Sequence, residues 1–324
     1  MAVYTPVSTE QVRTFLSDFD AGEYSRHVGI GSGIENTNYY LDTSSGRYVL
    51  TLFERLTAAQ LPYYLEFTAH LANFGLPVAA PKRLVRGAHV GKLFGEVAGK
   101  PAALVNRLMG QDVIWPTPDH CAQIGALLAR MHLASSSFRM SQPNLRGLPW
   151  IERSLPALMP HLPPRLAAML AEEVSVQVMY SSMDAFSSLP RGPVHADLFR
   201  DNALFEADRL TGVIDFYFAG NDTWLFDFCV TLNDWCIDQA TGTLDLPRAR
   251  AFASTYQMLR PFRSEEEESL PLMARAAALR FWVSRLCDWY MPRSAAILTP
   301  KDPSHFERIL ALRQSQPVTL ESLQ

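Results

Sequence analysis

Cysteine is scarce in this chain. Its four copies among 324 residues, Cys121, Cys229, Cys236 and Cys287, are widely spaced and form no C-x-x-C pair. Neither a disulfide framework nor a zinc site is suggested, and a reducing, cytoplasmic setting is expected. Long apolar runs are missing too: nowhere do eighteen such residues follow one another, and the opening MAVYTPVSTEQ has no basic or apolar stretch. A membrane span and a signal peptide are therefore not expected. An excess of positive charge is also absent. The formal net charge is -4, which argues against a dedicated nucleic-acid partner, since such proteins carry a basic face or stripe. No internal repeat and no low-complexity tract is visible. With 48% hydrophobic and 19% charged residues, the chain has enough apolar side chain for one large or two ordinary cores.

The order of patterns along the chain points to an α+β architecture. Residues 8–19 open with Ser8 and Gln11 at capping-box spacing and place Val12, Phe15, Leu16 and Phe19 at helical intervals. Glycines 29, 31 and 33 follow, then strand, turn and strand at 38–42, 43–46 and 47–53. A helix starting near Pro62 carries Leu65, Ala69 and Ala72 on one face and stops at Gly75. Two short strands at 82–97 and an apolar strand at 102–105 complete a part that is mainly antiparallel sheet with one main helix. Beyond Gly110 the pattern becomes helical, from Thr117 to His132, at 160–189 and at 246–290, with one hairpin at 203–216 between them. The expectation is a two-lobed molecule, with a sheet lobe at 1–105, a connector at 106–110 and a larger, mostly helical lobe at 111–324.

Chemistry concentrates in residues 194–205 (VHADLFRDNALF) and 212–216 (GVIDF). His195, Asp197 and Asn202 stand at the spacing of the kinase catalytic loop, H-R-D-x-x-x-x-N, with Ala196 in place of the arginine. Asp215 and Phe216 fall where the metal-binding D-F-G would, thirteen residues after Asn202. Phosphoryl transfer needs few reactive groups, because most of its catalysis is positioning and charge neutralisation. An aspartate can orient a hydroxyl and accept its proton, while an asparagine and a second aspartate hold Mg²⁺ on the phosphates of ATP. A metal hydrolase would want more histidines near His195, and the other seven are scattered. The glycines around Gly31, Ser32 and Gly33 would let backbone N–H groups approach phosphate.

Together these residues resemble the protein-kinase-like branch that includes aminoglycoside phosphotransferases and choline kinases, over residues 24–230. Within it, residues 31–39 (GSGIENTNY), 48–54 (YVLTLFE), 99–105 (GKPAALV), 230–235 (VTLNDW) and 276–286 (AAALRFWVSRL) look like signature stretches of the homoserine kinases. The resemblance implies a two-lobed protein-kinase-like fold and ATP-dependent phosphorylation of the L-homoserine hydroxyl for threonine biosynthesis. Asp197 would be the catalytic base, with His195 shaping its loop, and Asn202 and Asp215 would hold Mg²⁺. Asp227 would brace the loop from the following helix. Asn106 and Leu108 would lie in the hinge that reads adenine, Glu66 would sit on the helix of the first lobe, and His132 would be structural.

One departure matters. Thr51 stands where kinases keep the phosphate-binding lysine, which leaves Glu66 without its usual partner and makes Arg55 a candidate for the positive charge. A homoserine site should offer an acid and an arginine or backbone donor. Asn233, Asp234 and Trp235, together with Arg280, Trp282, Arg285, Asp288 and Trp289 on the late helix, are the candidates. Arg285 and Asp288 would equally form a surface ion pair beside core tryptophans. Alternatives are a kinase for another small alcohol, such as choline, methylthioribose or an aminoglycoside, and a nucleotide-binding regulator without catalysis. Oligomeric state stays open.

Overall fold

Ser8 and Gln11 close the capping box that their spacing predicts. The Ser8 hydroxyl accepts the Gln11 N–H at 3.2 Å and the Gln11 side chain accepts the Ser8 N–H at 2.8 Å. The helix they start, α1 (Thr9–Leu16), stops short of the expected Phe19 and buries Val12, Phe15 and Leu16. The computed structural model describes residues 5–31, 36–87, 89–291 and 300–324. It divides the chain into two units, one running to Met109 and the other from Gly110 onward.

The first unit is built on strands β1 (Tyr24–Gly29), β2 (Thr37–Thr43), β3 (Gly46–Leu52), β4 (Gly95–Val97) and β5 (Lys100–Asn106), with helix α2 (Leu61–Asn73) between β3 and β4. All neighbours are antiparallel in the order β1-β2-β3-β5-β4. Alternation along β2 and β3 sends Tyr39, Leu41, Tyr48, Leu50 and Leu52 into one cluster with Phe15, Leu16, Phe19 and Leu104. Two strands were expected at 82–97; among the described residues only β4 forms there, while Leu84 makes a single bridge to Phe19. Its neighbours make single bonds rather than a ladder, with the Lys82 N–H on the Leu104 carbonyl of β5 and the Val85 N–H on that of Asp18.

The second unit contains α3 (Pro118–Ser135), α4 (Leu148–Leu158), α5 (Pro164–Ser181), α6 (Asp184–Ser187), β6 (Arg191–Val194), β7 (Ala203–Glu206), β8 (Arg209–Val213) and β9 (Gly220–Thr223). Then come α7 (Trp224–Trp235), α8 (Leu246–Leu259), α9 (Ser264–Tyr290) and α10 (Ser304–Ser315). The expected hairpin at 203–216 is β7–β8. A second ladder, β6–β9, joins strands far apart in the chain and carries Pro193 and two glycines, which hid it from a reading by alternation. Helix α7 is buried from Leu225 through Trp235 on every face, so it forms the axis on which the unit packs.

Helices α3 and α8 meet at Gly125. A Cβ there would overlap the Phe252 carbonyl oxygen and lie 2.6 Å from the Thr255 hydroxyl, which itself bonds the Ala122 carbonyl at 2.8 Å. Alanine gains about 1 kcal/mol of helix propensity over glycine. Forcing two helix backbones apart costs about 1–3 kcal/mol, so the clash should win. Gly125→Ala is expected to unfold at lower urea concentration than the wild type. An unchanged or higher midpoint would show that the helices separate freely.

Candidate active site

Helix α7 holds the 195–202 loop from one face. Its cap is the Thr223 hydroxyl, which accepts the Phe226 N–H at 3.2 Å. Asp227 sits in the first turn, where the helix dipole favours negative charge, and is fully buried. Its carboxylate accepts the His195 N–H at 2.9 Å, the Ala196 N–H at 2.7 Å and His132 Nε2 at 3.1 Å. Burial alone would raise its pKa, but the His132 bond, His195 and the backbone donors outweigh that and hold it below the ordinary value. The backbone it grips is strained: Ala196 has φ +63°, a left-handed conformation that costs a non-glycine residue about 1–3 kcal/mol. Seven residues on, Asp234 accepts the Arg200 N–H at 2.8 Å and its Nε–H at 3.1 Å. Trp235 Nε1 donates to the Leu198 carbonyl at 3.1 Å. Positions 227, 234 and 235 share one face of the helix, so four loop residues are tied to one rigid element.

Behind Asp227 a buried chain of hydrogen bonds runs in one direction. Arg260, paired with Glu266 at 2.9 Å, donates to the Tyr256 hydroxyl at 3.1 Å. Tyr256 lies 2.8 Å from His132 Nδ1. Burial lowers the His132 pKa despite Asp227, so the ring is neutral. The network then assigns its proton to Nε2, facing Asp227, and leaves Nδ1 to accept from Tyr256. Trp224 stacks on His132 at 5.7 Å and Arg260 lies 4.6 Å over Trp224, which closes the network to water.

On the loop itself, His195 Nε2 donates to the Ile214 carbonyl at 3.0 Å, and Nδ1 accepts the Asp197 N–H at 3.2 Å. Both ring nitrogens are thus spent on backbone, and burial keeps the ring neutral. His195, expected among the catalytic residues, turns its ring to the backbone of Asp197 and Ile214. The Asn202 amide donates to the Asp197 carbonyl at 2.8 Å and to its carboxylate at 3.2 Å, while the Asn202 carbonyl accepts the Ile214 N–H at 3.0 Å. That last bond closes the β7–β8 hairpin and brings Asp215, itself at φ +63°, beside Asn202 and Asp197. Burial pushes the Asp197 carboxyl up to about 8; Arg280 opposes the shift, and Asp215 and Asp201 add to it. Oxygen donors from Asn202 and Asp215, beside the Asp197 carboxyl, suit a hard divalent cation. Among the described residues no group of three or more His, Cys, Asp or Glu could hold a metal unaided. Mg²⁺ characteristically takes one or two protein carboxylates and completes its shell with phosphate and water.

The remaining candidates are distributed differently from expectation. Thr51 is buried in β3 and donates to the Asn38 carboxamide at 2.8 Å across the β2–β3 pair. Glu66 does have a cationic partner, Arg83, at 2.7 Å: the charge comes from the segment after α2 instead of from β3. A Cβ on Gly31 would meet nothing within 4 Å, whereas Ser32 and Gly33 lie outside the described residues. Asn106 ends β5 with its N–H on the Ala80 carbonyl, and Leu108 follows in irregular backbone.

Two acceptor candidates are committed elsewhere. Asn233 is buried, donates to the Ala274 carbonyl at 2.9 Å and accepts Arg313 Nε at 2.9 Å, so it is a strut between α7, α9 and α10. Asp234 is the Arg200 brace. Trp282 is buried, Arg285 donates to the Asp302 carbonyl at 3.1 Å with its guanidinium over Phe306, and Asp288 is half-buried. Tyr256, Arg260 and Glu266 escaped sequence reasoning altogether. For the bracing by α7, the resemblance pointed to Asp227 alone, and the 227, 234, 235 spacing was the signal that could have added the other two.

The phosphotransferase enzyme family profile matches residues 27–262. The chain belongs to that family. Over nearly its whole length it groups with the homoserine kinases: it is 50% identical to that of Janthinobacterium sp. (strain Marseille), across 98% of this chain and 97% of that one. With the homoserine kinase of Polaromonas naphthalenivorans (strain CJ2) it shares 48% identity across 99% and 100% of the two chains. The fold is also that of an amicoumacin kinase solved with AMP-PNP, Ca²⁺ and its ligand, with a TM-score of 0.69 and 15% identity over 96% of this chain and 95% of that one. A choline kinase from Cryptosporidium parvum Iowa II gives a TM-score of 0.63 at 12% identity over 97% and 99%. The two-lobed, protein-kinase-like α+β fold is therefore established.

His132 links this geometry to pH. In the unfolded chain it gains a proton below its ordinary value of 6.5, while in the folded chain burial keeps it neutral to lower pH. The unfolded state therefore binds more protons, and this contribution to stability is lost as pH falls below 6.5, at up to about 1.4 kcal/mol per pH unit. Asp197, with its raised pKa, contributes with the opposite sign, so comparison with a variant isolates the histidine. His132→Gln can still donate to Asp227 and accept from Tyr256. Urea melts from pH 7 to pH 5 are expected to show a smaller loss of stability in the variant than in the wild type. Parallel profiles would remove His132 from the acid response.

Proposed function

We propose that this protein transfers the γ-phosphoryl group of ATP to the side-chain hydroxyl of L-homoserine, giving O-phospho-L-homoserine for threonine biosynthesis. The observation that carries the reading is the Asp197, Asn202 and Asp215 set, held by His195, Ile214 and Asp227 on a chain that groups with homoserine kinases end to end. Asp197 orients the acceptor hydroxyl and takes its proton as the new P–O bond forms. To act as a base Asp197 must be ionised, and a divalent cation beside it would favour that form. Asn202 fixes the Asp197 carboxylate and, with Asp215, would hold Mg²⁺. When bound, that ion would neutralise phosphate charge and withdraw electron density from the transferring phosphorus. The AMP-PNP and Ca²⁺ of the amicoumacin kinase support a nucleotide and divalent-cation site of this kind.

In this reading residues 1–105 form the nucleotide-binding lobe, 106–110 the hinge and 111–324 the catalytic and acceptor lobe. Gly31, Ser32, Gly33, Thr51, Glu66, Asn106 and Leu108 belong to the nucleotide side. Thr51 brings no charge, so phosphate grip falls to the glycine-rich backbone and the metal. Trp282, Arg285 and Asp288 line the acceptor side, with Asn233 and Asp234 supporting it from behind. No helix among the described residues is long and apolar enough to cross a membrane, and a cytoplasmic setting suits an ATP-consuming step on an amino acid.

ADP release with Mg-ATP across L-homoserine, L-serine, choline, methylthioribose and an aminoglycoside tests the assignment. The expected outcome is clear preference for L-homoserine; turnover of another acceptor with none of homoserine would overturn it. Asp197→Asn is expected to lower turnover by at least ~100-fold while ATP binding is little changed. Near-wild-type turnover would take the base role from Asp197.

A further inference from the structure

Arg280 is a buried cation without a match. It lies in the middle of α9, is 3% exposed, and neither its Nε nor its Nη2 has a hydrogen-bond partner among the described residues. Arg260, buried in the same unit, shows the contrast: its guanidinium is taken up by Glu266 and Tyr256. Burial lowers the Arg280 pKa only to about 10, so the group stays charged at neutral pH. An unpaired buried charge is strongly destabilising, and evolution keeps one where a partner arrives from outside the chain.

Its surroundings say what that partner is. The guanidinium rests on Phe281 at 3.8 Å and near Phe218 at 5.3 Å, and Phe218 closes the turn that begins at Asp215. Asp197 is the acid whose charge acts most strongly on it, yet no hydrogen bond joins the two. A second cation, Arg146, lies 5.9 Å from the Phe218 ring and stacks on Trp150 at 4.5 Å. It is set there by Asn144, which accepts the Arg146 N–H and donates to Asp222 in β9. Two arginines on one aromatic ring repel polycations and attract a small anion. The orphaned Nε–H and Nη2–H point the same way, along the edge on which a guanidinium takes a carboxylate in two parallel bonds.

We propose that the Nε and Nη2 edge of Arg280 binds the α-carboxylate of the acceptor, so that the acceptor is an amino acid gripped at its carboxylate while its hydroxyl reaches Asp197. This rests on the homoserine reading and sharpens it: three carbons separate the carboxylate from the reacting oxygen, and the grip would place that oxygen at the base.

Steady-state ADP release by the full-length enzyme tests it, comparing L-homoserine with 3-aminopropan-1-ol, the same chain without its carboxylate. Arg280→Met keeps the bulk of the stem, and Arg280→Lys keeps the charge but loses the fork. The wild type is expected to prefer homoserine. In Arg280→Met that preference, as a ratio of kcat/KM values, is expected to shrink by ~100-fold or more, chiefly through KM, as the loss of a two-bond charged pair implies. Arg280→Lys should fall between. A ratio in both variants within about 3-fold of the wild type overturns the assignment of Arg280 and leaves the homoserine reading standing. A wild type that ignores homoserine and turns over another alcohol overturns that reading instead. Should Arg280→Met be insoluble, melting of Arg280→Lys decides: loss of the homoserine-induced rise in Tm supports the grip, and a full wild-type rise overturns it.

Discussion

The carboxylate of Asp227 is the point on which the catalytic unit depends. It carries three N–H donors at once, two of them from consecutive residues of the loop, and one of those residues, Ala196, is held in a conformation alanine avoids. Without a fixed acceptor at that position the loop would relax to an extended path and carry Asp197 away from Asn202. The acceptor is fixed because it stands in the first turn of a helix buried on every side, which cannot tilt or slide without opening the core.

From that anchor the site divides into acid and base regions. Asp215 and Asp201 lie near enough to Asp197 for their charges to raise its pKa, whereas Arg280 and Arg146 gather around Phe218. No hydrogen bond joins Arg280 to Asp197, and Asp201 is paired with Lys301 at 3.1 Å. Such separation is costly in a resting protein and useful in one that must hold a reactant with charge at both ends. The strain in the loop and the uncompensated charge are of one kind, stability given up for a prepared geometry.

The grouping of the loop residues was legible in the sequence because it is local. His195, Asp197, Asn202 and Asp215 keep fixed distances along the chain, and the hairpin between the last two announces itself by its own apolar strands. What depended on helix faces was not. Asn233 and Asp234 were read as acceptor residues since they follow the metal-ligand loop, but a helix surrounded on all sides gives no apolar stripe to tell an inward face from an outward one. The Glu66 partner was missed for a similar reason: Arg83 comes from beyond α2, and spacing along β3 could not reveal it. Strands β6 and β9 pair across 25 intervening residues with no alternation to mark them.

The hydrogen bonds behind Asp227 form a one-way wire. Each group hands its proton forward, from Arg260 to Tyr256 to His132 to the carboxylate, and the sequence can run in no other sense because its first member has only donors and its last only acceptors. A proton added at His132 would leave the Tyr256 hydroxyl facing donors on both sides, with no acceptor to turn to. The chain therefore resists charge entry at its centre. The loop that carries Asp197 is thereby insulated, and a proton gained or lost at that carboxyl leaves the framework behind it unchanged.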